Sequence, residues 1–77
     1  MLEKKMSQMK MGEIATVEHV DTNDVMKRRL FELGLIVGTK TKCVLMAQSG
    51  GMLGFDIRGA IIALRKSDLD RINVQLN

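Results

Sequence analysis

The chain has no proline, tryptophan or tyrosine, one cysteine, one histidine and two phenylalanines in 77 residues. Each shortage removes a class of protein. A single cysteine, Cys43, can form neither a disulfide within the chain nor a cysteine cage for zinc, and it suits a reducing cytoplasm. Aromatic residues make up only 3% of the chain, too few for a platform that stacks several bases. The longest apolar runs are about five residues, whereas a membrane helix needs roughly 20. The N-terminus has neither the apolar core nor the small-residue cleavage site of a secretory signal, so any membrane role is expected to run through a partner. A hydrolytic nucleophile needs a base within reach, and His19, the only imidazole, has no sequence context for that pairing. Gly50, Gly51 and Gly54 lack the lysine and the following helix of a phosphate-binding loop. A domain this small has little room to enclose a substrate. The expectation is a non-enzyme with no cofactor.

What is present is enough for one core. Hydrophobic residues are 45% of the chain, too many for a disordered protein. The formal net charge is +3, but acidic and basic residues alternate, which reads as a solvated mixed surface rather than the dense basic stripe of a nucleic-acid binder.

Along the chain, MLEKKMSQ at 1–8 carries no strand pattern and is expected to be a flexible tail, although Leu2, Met6 and Met9 share helical spacing. The folded domain is placed at 9–77. Gly12 opens a turn, and Ile14 to Val20 is β-branched enough for a strand. The cluster Asp21-Thr22-Asn23-Asp24 supplies helix N-caps. Met26, Leu30 and Leu33 then form one helical stripe, and Gly34 is the stop residue, free to take positive φ. The helix is therefore expected near 24–33. Thr39 to Ala47 reads as a strand with Thr41, Cys43 and Leu45 on one face and Val44 and Met46 on the other. Leu53, Phe55 and Ile57 alternate with Gly54, Asp56 and Arg58, and Arg58-Gly59 turns the chain into Ala60 to Arg65. A helical turn at 66–69 precedes the final alternation of Ile72, Val74 and Leu76. The pattern predicts a mostly β fold: a small SH3-like barrel of about five strands, with one short α-helix after the first strand and a helical turn before the last. Curling the first and last strands together removes most of the exposed edge.

The string RRLFELGLIVGTKTKC, with IALRKSDLDRINV downstream, resembles the FeoA family. The matching positions are Gly12, Arg29, Leu30, Leu33, Gly34, Leu35, Gly38, Ala63, Leu64, Arg65, Ile72 and Val74, spread over residues 9–75. The family pattern has a proline and an acidic residue in the loop after the second strand, where this chain reads QSGGMLG. The resemblance implies an SH3-like barrel, a cytoplasmic location and work beside FeoB, the ferrous-iron transporter of the membrane, which would hold the nucleotide chemistry. A related barrel forms the C-terminal domain of iron-dependent repressors of the diphtheria-toxin-repressor type. That kinship and the positive charge motivate the alternative of a small nucleic-acid- or transcription-associated module. This sequence has no helix-turn-helix to go with it.

His19 and Asp21 fall on one side of a continuing strand, but two ligands do not hold iron or zinc against water, so no metal site is expected within one chain. Cys43 reads as a small buried hydrophobe. The surface is what remains for function. Lys27 and Phe31 lie one turn apart on the helix side opposite the buried stripe, with Arg28 beside them, and could anchor a partner. The alternative is that Phe31 tucks under a loop. Val44, Met46 and Ile61 have the parity opposite to Leu45, Ile62 and Leu64 and would form a second apolar patch, or a weak contact between copies, unless a terminal segment covers them.

Overall fold

The structure, a computed structural model, describes residues 3–77. In chain order it contains β1 (Glu3–Lys5), a 3-10 turn at Met6–Gln8, β2 (Ile14–Val20), α1 (Asp24–Glu32), β3 (Lys40–Met46), β4 (Met52–Ile57), β5 (Ala60–Arg65), α2 (Lys66–Leu69) and β6 (Ile72–Leu76). The six strands form one antiparallel sheet in the order β1-β6-β2-β3-β4-β5. The anticipated pairing of β2 with the last strand is present, with Val17 opposite Val74 and Val20 opposite Ile72. The sheet is SH3-like and strongly coiled around its core, but the barrel does not close, because β1 and β5 each pair on one side only.

Helix α1 forms where its signals stand. The Met26 N–H donates to Asn23 Oδ1 at 2.8 Å, satisfying one of the orphan donors of the first turn. At the other end the Gly34 N–H donates to Phe31 O and the Leu35 N–H to Leu30 O, both bonds of a Schellman motif. Gly34 sits at φ +88°, where a side chain is strained. Leu30 and Leu35, the apolar pair of that motif, are both buried. Phe55, at the centre of β4, is the largest fully buried side chain and belongs to one core cluster with Leu53, Ile57, Leu69, Ile72 and Val74.

Two readings are corrected. The first is the tail. Residues 3–8 are part of the fold: Lys4 pairs with Val74 of β6, and Met6 is fully buried with Met9. A strand reading EKK has no hydrophobic pattern, because the backbone ladder and not its side chains attaches it. The methionines that follow fill the open end of the core, where unbranched side chains adapt to an irregular gap. Lys4 Nζ closes on Glu13 Oε1 at 3.2 Å, and Ser7 Oγ is hydrogen-bonded to the Asp70 carboxylate. Leu2, which shared their helical spacing, lies outside the described residues.

The second correction concerns parity in β3. Cys43 faces Phe55 and Leu45 faces Gly54, so Val44 is an extra residue in a bulge. The bulge turns Leu45 outwards, leaving it 54% exposed. Its side chain lies over Gly54, where an added Cβ would come 2.9 Å from Leu45 Cβ. A glycine inside a strand is the mark of such an approach. Met46, expected on the outer face with Val44, is turned by the same bulge to inward parity opposite Leu53 but sits at the sheet's end, 49% exposed, and Val44 is half-buried. A like bulge at Glu18 in β2 lets Val17 and Val20 both reach the core.

Candidate partner-docking surface

The outer side of α1 is open. Phe31 is 65% exposed, and Lys27 and Arg28 are exposed beside it. The reading in which Phe31 tucks under a loop is therefore overturned. Phe31 and Lys27 stand along a shallow apolar groove of about 390 Å³ whose other walls are Val20, Leu35, Ile36 and Val37. Arg28 does not line it.

The groove follows from how the helix ends. The Schellman turn throws the chain back so that Leu35 to Val37 run beside the last helical turn. Leu35 is drawn into the core, and Val37 is left 63% exposed. Thr39 holds this turn: its Oγ1 accepts from the Ile36 N–H at 3.2 Å and donates to Gly34 O at 2.9 Å. The Gly38 N–H donates to Val17 O and the Val17 N–H to Thr39 O, fixing the turn to β2. Both walls are thus set before anything binds, which limits the entropy lost on association. Lys27 is the only charged residue of the lining, so the groove suits an apolar side chain with an acidic neighbour.

Sequence reasoning placed Lys27 and Phe31 here but missed Val20, Leu35, Ile36 and Val37. A signal was present: three consecutive apolar residues in a tight turn cannot all face the core. The second proposed patch is not brought together as expected. Ile61 stands on the outer sheet face opposite Asp56, 63% exposed, and the apolar residue that β3 turns to that face is Leu45 rather than Met46.

The chemistry-bearing residues lie elsewhere. His19 is exposed and borders a depression shared with Lys5, Asp21, Asp70, Arg71 and Asn73. Among the described residues no three His, Cys, Asp or Glu side chains are grouped as metal ligands. Cys43 is buried, and its thiol pKa is raised by desolvation and then by the Glu13 carboxylate, which keeps it protonated at neutral pH. Glu13 itself is held below the usual carboxylate range, chiefly by the hydrogen bond from the Lys10 N–H and also by Lys4. No helix among the described residues is long and apolar enough to cross a membrane.

This architecture defines a small SH3-like module whose described residues form an open apolar groove beside α1. Residues 4–76 match the FeoA domain family, and the chain belongs to it, which ties it to ferrous iron transport. The match begins in β1, so the family fold includes the segment that the sequence pattern left as a tail. The chain is similar to the FeoA protein from Chlorobium tepidum, with 30% identity and a TM-score of 0.90 over 95% of this chain and 70% of that one. It is also similar to iron(II) transport protein A from Clostridium thermocellum, at 25% identity and a TM-score of 0.91, covering 95% of this chain and 45% of that one. A manganese-dependent transcriptional repressor shares the fold alone, at 19% identity and a TM-score of 0.87, covering 97% of this chain and 37% of that one. The comparison with curated proteins gives no match.

Proposed function

We propose that this chain is a non-catalytic accessory protein of ferrous iron uptake that acts in the cytoplasm by binding a FeoB-type transporter. The observation that carries this reading is the exposed Phe31 at the lip of a preformed apolar groove, with Lys27 beside it. An aromatic side chain in such a setting is a common anchor of protein interfaces. The transporter supplies the passage and the nucleotide chemistry; this chain supplies a rigid surface that biases the transporter's state or its assembly.

The test is binding of the purified chain to FeoB in detergent or nanodiscs, with Phe31→Ala measured in parallel for thermal stability. Loss of the anchor is expected to weaken binding about thirtyfold, the equivalent of roughly 2 kcal/mol, with the melt unchanged. Unchanged binding would remove Phe31 from the interface. The nucleic-acid alternative separates by salt: phosphate contacts weaken steeply between about 50 and 200 mM, whereas an apolar contact persists.

A further inference from the structure

β5 is an outer strand of the sheet, and the phase of its hydrogen bonds is fixed. The two-residue turn at Arg58-Gly59 makes Ile57 and Ala60 the closing pair, which in such a hairpin exchanges both backbone bonds. Further along, the Lys66 N–H donates to Gly51 O at 2.9 Å, in the same phase. Residues 60, 62, 64 and 66 therefore face β4, and Ile61 and Ala63 aim their N–H and C=O groups away from the sheet. Among the described residues no strand lies on that side. Ala60 to Leu64 carries no charge and no proline, the usual guards of an edge.

Beside this edge runs a trough of about 380 Å³ between α1 and β5. Met26 and Arg29 form one wall, Ala63, Leu64 and Arg65 the other, and Met52 also contributes. Asp68 is the single carboxylate against the two arginines. We propose that the β5 edge binds an extended segment of another protein by strand addition, one that alternates apolar with acidic residues. Its main chain pairs with Ile61 and Ala63, its apolar side chains on one face lie towards Met26 and Leu64 on the core side, and its carboxylates on the other face meet Arg65, which shares the outer face with Ile61. A second copy fits poorly, because antiparallel pairing of two β5 strands brings Arg58 of each towards Arg65 of the other, and each chain carries a net charge of +3. This surface is separate from the Phe31 groove and does not depend on the identity of the transporter.

The probe is a blocked peptide of alternating valine and glutamate, with a valine–lysine peptide as the contrast, titrated into the isotope-labelled full chain. Main-chain pairing supplies most of the affinity in this mode, so a generic sequence suffices at millimolar concentration. The glutamate peptide is expected to slow amide exchange at Ile61 and Ala63 by at least about tenfold, and the lysine peptide to leave it unchanged. Ala63→Pro removes an edge-facing N–H without removing a ladder bond, so it should abolish protection of Ile61 while the melt stays native. Arg65→Glu leaves the backbone intact and should exchange the preference for the lysine peptide. The proposal is overturned if neither peptide slows exchange or if protection survives in Ala63→Pro. It is equally overturned if protection grows with protein concentration in the absence of peptide, which would make the occupant a second copy.

Discussion

The two outer strands of the sheet meet the same physical problem in opposite ways. β1 is three residues long and carries Glu3, Lys4 and Lys5, the short charged edge that discourages further pairing. Behind it Met6 and Met9 plug the core, and Lys4 is held by Glu13. β5 is six residues long and uncharged until Arg65, with an exposed Ile61 and, among the described residues, no strand paired to its outer side. One end of the sheet is finished by its own chain; the other is left available. The proposed functions follow this difference: Met6 and Met9 at the β1 end are buried in the core, and the exposed apolar side chains of α1, the turn after it and β5 are the surfaces proposed for recognition.

The largest effect should come from breaking the closed end. Met6→Ala removes a fully buried side chain and is expected to cost about 2–5 kcal/mol, lowering the melting midpoint by roughly 10 °C or more. A shift below 2 °C would mean that the N-terminal segment is not part of the cooperative unit.

Near the open end, Gly54→Ala is expected to cost about 1–3 kcal/mol, because its Cβ would come within 2.9 Å of Leu45 Cβ in the bulged strand. Pairing the change with Leu45→Ala should recover part of the loss, a coupling visible in a double-mutant cycle by chemical denaturation. Additive costs would mean that the bulge does not place these two groups together.

The smallest effect is electrostatic and lies at Glu13, which accepts from the Lys10 N–H and pairs with Lys4 of β1. The folded-state pKa of Glu13 lies below its ordinary value, so its contribution to stability is present above the ordinary carboxylate pKa and lost as pH falls through the folded value. Glu13→Gln should therefore melt slightly lower than the parent near pH 7, and the two proteins should converge in acid. A gap that widened on acidification would reverse the sign and contradict the assignment.

These outcomes bear on how much of the molecule could be read from its sequence. α1 was legible because its cap Asn23 and stop Gly34 act locally, through hydrogen bonds within a few residues. β4 and β6 were legible because apolar and polar residues alternate, β2 from its β-branched residues, and β5 from the turn signal at Arg58-Gly59 that precedes its apolar run. β1 was not, because a strand attached by its backbone leaves no side-chain pattern. The bulge at Val44 was not, because it depends on Leu45 meeting Gly54 across the ladder, a non-local fact. That single extra residue moved Leu45 to the outer face and Met46 away from the expected patch. Lys27 and Phe31 followed from the helical period, whereas the groove they line required the path of Leu35 to Val37, which only the folded turn pinned by Thr39 reveals.

The central claim is that the outer side of α1 and its following turn form the docking face for the transporter. The most direct measurement is residue-resolved NMR of the isotope-labelled chain titrated with FeoB in nanodiscs. The account predicts that signals of Lys27, Phe31, Ile36 and Val37 broaden or shift first, while β1 and the Met6 methyl stay unchanged. Transporter-dependent changes that leave these four residues untouched, or no change at saturating transporter, would contradict it.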